Sequence, residues 1–412
     1  MKNRPANLVA LIWTAVMIAV VSSTLTLALT GGRVGNDHWV SEAEYESIER
    51  YRRLDEVRDI LMNQYYKPLD EETLLTGAIR GMTKSAGDVY TFYYTPEEMK
   101  RELEDEQGRY CGIGVLIERS VDGYIEIARV YPDSPAELAG MKVGDLIYSV
   151  DGQPVGGLRG KSFEDGVKDI RGEENTTVRL GILRGKETFE LEVMRADVNI
   201  SYASYELLGE DVGYVSIAQF SGDAADRFDE ALGYFKGHNV KGMVIDLRNN
   251  PGGFLSEVNR IADKILPKGV IVYIQDRAGA RKDYYSDAEM YDIPVVVLVN
   301  RMSASASEIM AAAVQALDRG KVVGVTTYGK GVVQTMKTFE EDGAGMQYTS
   351  SSYFDARGRS IDGVGVTPDV EVPLEGERVP MRPDPESDNQ LSRALEVLRE
   401  EMDARTSGEK ET

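Results

Sequence analysis

The sequence predicts a mixed α/β protein in which a small β-rich module stands between an N-terminal helical arm and a larger α/β domain. Three observations predict it. Between Ser41 and about Glu106 apolar residues recur at helical spacing. From Gln107 to about Asp197 short alternating strands are punctuated by glycine turns. From Val212 to Val372 near-continuous Val/Ile runs alternate with helical stretches, the pattern of a buried sheet covered by helices. At 412 residues the chain exceeds a typical single domain, so two or three modules are expected.

Taken in order, Leu8 to Leu29 carries no charge, and about 22 residues at ~1.5 Å rise would cross a ~30 Å hydrocarbon layer. Lys2 and Arg4 precede it while Asp37, Glu42, Glu44, Glu46 and Glu49 follow, which places the bulk of the chain outside the cytoplasm. No small-x-small site stands near Ala28, which favours an uncleaved single-pass anchor in the cell membrane over a cleaved signal peptide; both export the remainder. In the arm, Tyr51, Leu54, Val57, Ile60, Leu61 and Tyr65 form a stripe expected to pack. A second helix is expected over Glu71 to Ser85. The β-rich module should hold strands near Gly114, Tyr124, Asp145 and Thr177, with a helix over Ser162 to Ile170. In the large domain the strands VGYVSIAQF, GMVIDLR, VIVYIQD and PVVVLVN alternate with helices over Asp223 to Phe235, Phe254 to Leu266 and Ser305 to Leu317. A polar tail from Glu375 ends in an amphipathic helix bearing Leu391, Leu395 and Leu398.

Forty-seven basic against 69 acidic residues give a net charge of -22, which disfavours nucleic acid and anionic headgroups as partners and serves solubility. Cys111 is the only cysteine, so an internal disulfide is excluded, and it reads as a small loop residue. His38 and His238 are the only histidines, and neither has a catalytic context, which argues against a Ser-His-Asp triad. The GxxxxGK[ST] spacing of a phosphate loop is absent, and no cofactor or metal is implied.

A serine/lysine dyad is the economical alternative. Ser305 lies in Ser303-Ala304-Ser305-Ala306-Ser307-Glu308 and Lys330 in Gly329-Lys330-Gly331-Val332-Val333-Gln334. A lysine serves as base for a serine hydroxyl when its surroundings keep the amine neutral, and the flanking valines supply an apolar setting. Ser305-Ala306-Ser307-Glu308 is also a capping box, so Ser305 has a purely structural reading as a helix cap. Gln334 would steady the amine through its side-chain carbonyl, yet four strand residues span ~13 Å, so contact requires a wound backbone. The turn Asp246-Leu247-Arg248-Asn249-Asn250-Pro251-Gly252-Gly253 ends a strand and offers backbone N–H groups to an oxyanion. In the β-rich module, Gly112, Ile113, Gly114 and Val115 form a glycine-bearing loop entering a strand, suited to catching a terminal carboxylate while the strand edge pairs with an extended peptide.

Together these residues resemble the carboxyl-terminal processing peptidases, serine/lysine proteases with an inserted PDZ domain. The likeness runs from about Leu54 to Leu398 and rests on GIGV, DLRNNPGG, SASASE, GKGxxQ, Gly358-Arg359-Ser360-Ile361 and Gly365-Val366-Thr367-Pro368-Asp369-Val370. The resemblance implies Ser305 as nucleophile, Lys330 and Gln334 from GKGxxQ, an oxyanion hole of Gly252, with Gly253 as a further candidate, and Ala306, and a crotonase-like (ClpP/crotonase-type) core. Two positions depart from the family pattern: Gly87-Asp88-Val89-Tyr90 stands where an aspartate-proline is common, and Asn175 replaces a usual glycine, a mild change because asparagine tolerates left-handed backbone.

The expected organisation is a membrane anchor or signal peptide over 1–36, a helical arm over 37–106, a PDZ domain over 107–197, a peptidase core over 198–374 and a helical segment with polar tail over 375–412. The expected function is that of an exported endopeptidase acting on the C-termini of peptides or unfolded proteins, with a homodimer left open. A non-catalytic PDZ adaptor and a crotonase-like acyl-CoA enzyme are the alternatives.

Overall fold

The computed structural model describes residues 13–22, 31–34, 38–106, 109–120, 122–131, 134–157, 160–199, 201–287, 289–376, 379–380 and 382–408. No helix among the described residues is long and apolar enough to cross a membrane. Of the anchor expected over Leu8 to Leu29, only 13–22 is described, as helix; the rest lies outside the described residues. By contacts the chain forms two units that divide between Ala86 and Gly87.

The first unit pairs the strands Gly31–Val34 and His38–Ser41 antiparallel and continues into helices Glu42–Gln64 and Glu71–Lys84. Ser41 starts the first helix by a capping box with Glu44, and Asp70 starts the second by accepting from Thr73 N at 2.8 Å. Helical periodicity in the sequence is therefore realised. The stripe expected to pack is not covered, for no residue of the helix Glu42–Gln64 is buried and Tyr51, Leu54, Val57, Ile60 and Tyr65 are exposed.

The second unit begins at Gly87. Within it, the strand Phe92–Tyr94 pairs antiparallel with Gly345–Asp355 and is followed by the helix Pro96–Glu106. The β-rich module follows. Strands Glu187–Met194, Thr177–Arg184, Leu146–Val150, Ile125–Val130 and Val115–Arg119 lie in that order in one antiparallel sheet. Its inner face, with Ile125, Ile127, Ile147, Val178, Leu180 and Ile182 wholly buried, forms a separate core. Val115–Arg119 is one of its two edge strands. Entry and exit of the module pair with each other, Arg109–Gly112 against Ala196–Asn199, so Cys111 sits in a strand of this neck and not in a loop. Asn175 adopts φ 62°, the left-handed backbone it was expected to tolerate.

In the large α/β region, strands Val212–Ile217, Gly242–Asp246, Val295–Val299, Gly320–Gly324 and Val370–Glu371 run parallel, with Ala203–Leu208 added antiparallel at one edge. Gly242–Asp246 and Val295–Val299 are buried at every position, which is why they read as unbroken apolar runs. Helices Ala224–Gly237, Leu255–Asp263 and Ala306–Ala316 cover one face through Phe228, Ile261 and Met310. The other is covered by the helix Asn389–Gly408 through Leu391, Leu395 and Leu398 packed on Val244, Val296, Leu298 and Val323. A buried ionic cluster ties the two, as Arg248 meets Asp246 at 2.6 Å and Asp388 at 2.8 Å. The run VIVYIQD does not join this sheet. It forms Gly269–Asp276 in a second, antiparallel sheet with Arg281–Ser286, Gly345–Asp355 and Val332–Thr338, consistent with its half-buried, polar-ended sequence.

Candidate active site

The buried strands Gly242–Asp246 and Val295–Val299 end side by side, and their C-terminal turns are clamped together. Asn249 N donates to Asn300 Oδ1 at 3.0 Å and Asn300 Nδ2 to Asn249 Oδ1 at 2.7 Å. Asn250 is wholly buried; its carbonyl accepts from Ala304 N at 3.0 Å and Ser307 Oγ at 2.9 Å, while its Nδ2 reaches Ile217 O at 2.8 Å. The three serines of SASASE are thereby separated by environment. Ser303 and Ser307 are wholly buried, with Ser303 Oγ donating to Leu247 O at 2.8 Å, whereas Ser305 is half-buried and lines a cleft of about 790 Å³.

Ser305 precedes the helix Ala306–Ala316 with φ 53° and ψ -114°, a backbone region costly for a residue with a Cβ, on the order of 1–3 kcal/mol. The surroundings enforce it. Its N–H donates to Glu308 Oε2 at 2.8 Å, its carbonyl accepts from the Tyr353 hydroxyl at 3.2 Å, and a Cβ on Gly252 would lie 2.7 Å from its own Cβ. Glu308 N is bonded to the Ser305 main-chain carbonyl at 2.9 Å, so the first turn is closed by backbone.

Glu308 extends well beyond the cap. Wholly buried, its carboxylate accepts from Ser305 N, Thr327 Oγ1 at 2.5 Å, Gly329 N at 2.7 Å and Lys330 N at 2.9 Å. Burial pushes its carboxyl up, and these hydrogen bonds pull the other way. One side chain thus joins the serine segment to the lysine loop. Tyr353 makes a second bridge, its hydroxyl donating to the carbonyls of Ser305 and Lys330. Sequence reasoning assigned neither role, because a glutamate three residues past a serine reads as a cap and nothing local marks Tyr353.

Lys330 lines the same cleft and is half-buried. Burial pushes its amine below the usual lysine range, against the opposing charges of Asp88 and Glu308. Its Nζ stands 4.4 Å from the Tyr90 ring centroid, and among the described residues no hydrogen bond joins it to Ser305 Oγ. The register shifts between Val333 and Gln334, but the extra residue, Ser350, belongs to the opposing strand, so this shift does not supply the wound backbone that a Lys330–Gln334 contact requires; Gln334 nonetheless lines the cleft. Its Nε2 donates to Thr349 Oγ1 at 3.4 Å, and no Lys330–Gln334 hydrogen bond is made among the described residues.

Gly253 and Ala306 line the cleft, and neither N–H has a hydrogen-bond partner among the described residues. Gly252 differs from expectation. Its N–H donates to Asn250 Oδ1 at 2.8 Å because the asparagine side chain folds back over its own turn, so it is engaged where an oxyanion donor was expected. From the β-rich module, Gly112, Ile113 and Val115 line the cleft together with Val167, Ile170 and Arg171; Gly114 does not line it, has φ 78° and accepts from Tyr131 N at 3.1 Å. His238 packs on Tyr234 at 4.2 Å between ring centroids and does not line the cleft.

Comparison with known proteins shows the family. Residues 211–372 match peptidase family S41, 126–184 a PDZ domain and 31–98 the activating protease CtpB N-terminal domain. A probable CtpA-like serine protease of Staphylococcus saprophyticus is 33% identical over 364 residues, covering 87% of this chain and 72% of its own. The chain belongs to the CtpA-like serine proteases of family S41. A second relative of this family, from Staphylococcus aureus strain N315, is 35% identical over 326 residues, 78% of this chain and 64% of the relative. Among solved structures, a photosystem II D1 C-terminal processing protease aligns with TM-score 0.55 and 28% identity, covering 81% of this S41 peptidase and 94% of its own chain. A putative S41 protease from Bacteroides fragilis, with TM-score 0.50 and 18% identity over 71% of this chain and 82% of its own, shares the fold.

Proposed function

We propose that this S41 peptidase cleaves with Ser305 as nucleophile and Lys330 as general base. Ser305 Oγ attacks the peptide carbonyl while its proton passes to the neutral Lys330 amine; the proton then goes to the departing amine, and water hydrolyses the acyl-enzyme by the same route. The N–H groups of Gly253 and Ala306 are the donors for the oxyanion, at the start of a helix whose dipole favours negative charge. Gln334 lines the same cleft as the amine. One observation carries this reading: of three clustered serines only Ser305 faces the cleft, and the same cleft holds Lys330.

The PDZ loop Gly112–Val115 and the edge strand behind it would hold a substrate C-terminus by strand addition, delivering the preceding chain to Ser305 along the shared cleft. That continuity also supports control of access by the PDZ module; if deleting residues 107–197 left rate and substrate choice unchanged, that part of the reading would be wrong. The parallel sheet with its antiparallel partner supports placing the core in the crotonase-like class. Export, with Leu8 to Leu29 as anchor, rests on the charge asymmetry around that segment. The decisive experiment is a mass-spectrometric digest of an unfolded protein: wild type should cut, and Ser305→Ala and Lys330→Ala should each lose about a thousandfold or more while still folding. A Lys330→Ala enzyme that still cuts removes the proposed base.

A further inference from the structure

The segment Gly87-Asp88-Val89-Tyr90 takes no part in the chemistry above, yet it meets the base. Lys330 Nζ lies over the Tyr90 ring at 4.4 Å, and the Asp88 carboxylate acts on the same amine. The turn is fixed in place. Asp88 accepts from Tyr90 N at 3.0 Å and Thr91 Oγ1 at 2.6 Å and is bonded to the Thr349 side chain, Gln347 Nε2 reaches Tyr90 O at 3.2 Å, and the Tyr90 hydroxyl is bonded to Tyr328. Burial works against the charge of Asp88, but its hydrogen bonds outweigh it and hold the carboxyl below the usual range, so it is an anion at neutral pH.

An aromatic face and a carboxylate both attract an ammonium, and a neutral amine gains little from either. A base in proton transfer needs the neutral form. We propose that the Asp88–Tyr90 turn is a resting seat for the Lys330 ammonium, which the amine leaves in order to take the Ser305 proton. The ammonium releases its proton to water, loses its attraction to ring and carboxylate, and the neutral Nζ accepts from Ser305 Oγ. This rests on the Ser305/Lys330 reading and adds a brake to it. The other charged and titratable groups around the base are Glu308 on the nucleophile helix, Tyr353 bonded to the Lys330 carbonyl, Asp362 bonded to Gly331 N at 3.1 Å, and Tyr328. Among the described residues, only the Asp88–Tyr90 pair combines a ring under the amine with an anion acting on it from one short turn.

The test is the pH dependence of kcat/KM on a quenched fluorescent peptide with a free aliphatic C-terminus, for the full chain and for Asp88→Asn, Tyr90→Leu and Tyr90→Phe. Weakening the seat should move the acid limb toward lower pH, so that below the wild-type limb the rate rises about three- to ten-fold for Asp88→Asn and less for Tyr90→Leu. Tyr90→Phe keeps the ring face and should keep the wild-type limb. Should Asp88→Asn and Tyr90→Leu slow the enzyme evenly at every pH with the limb unmoved, the turn is merely structural and the proposal falls. If Asp88→Asn does not fold, the contrast between Tyr90→Leu and Tyr90→Phe decides in the same way. An active Lys330→Ala enzyme is a different result, which overturns the serine/lysine reading itself.

Discussion

The two walls of the cleft are built on different physics. On the serine wall, Ser303, Ser307 and Asn250 are buried and bonded to main chain, and Ser305 is pressed into a strained conformation by Glu308, Tyr353 and the close approach of Gly252. On the lysine wall the amine is half-buried and its position depends on side-chain electrostatics, with Tyr90 beneath it and Asp88 and Glu308 opposing the effect of burial. Geometry is thus set by the fold on one side, and protonation by balanced charges on the other. Changes to the serine wall should lower the rate at all pH values, whereas changes to the lysine wall should act through pH.

Glu308 belongs to both walls, so its removal breaks the comparison most severely. Glu308→Ala strands the donors of Ser305, Thr327, Gly329 and Lys330, and should lower stability by about 3–5 kcal/mol in urea unfolding, with activity reduced about a hundredfold in whatever remains folded. Native stability in that variant would mean the carboxylate does not join the walls. A smaller effect is expected for Tyr353→Phe, which removes a hydroxyl and nothing else: kcat about tenfold lower, KM little changed, and the acid limb in place, measured by steady-state kinetics.

The smallest effect concerns Lys330 and stability. Burial lowers its folded-state pKa, so the folded chain binds the proton less tightly than the unfolded chain; the stabilisation is fully present above the usual lysine value of about 10.4 and is lost as pH falls through the folded value. Lys330→Met should therefore melt slightly higher than wild type near neutrality, and the advantage should fade toward strongly alkaline pH. A difference independent of pH would assign it to packing.

Much of the serine wall was legible in the sequence, because its signals are local. An apolar strand, a serine cluster and a helix follow one another, and a glycine turn closes another strand. Ser305, Gly253, Ala306, Lys330 and Gln334 do meet in one cleft, as do Gly112, Ile113 and Val115. What escaped depends on contacts made far along the chain. The Glu308 carboxylate reaches residues about twenty positions downstream, and Tyr353 comes from another sheet. The side chain that occupies Gly252 N–H comes from its own turn, where Asn250 could equally have faced outward. Periodicity likewise predicts an amphipathic helix over the arm without naming what, if anything, covers its stripe.

The helix Asn389–Gly408 also bears on when the protein becomes active. Arg248, just past the strand that leads to the glycine turn, finds Asp388 only 140 residues later, and Leu391 to Leu398 cover the outer side of both strands that carry the reactive loops. Contacts that bridge such distances along the chain form late. Both strands are therefore packed on their outer side only once residues 388–398 have joined the fold, so the reactive loops gain their full support from the part of the domain that is made last.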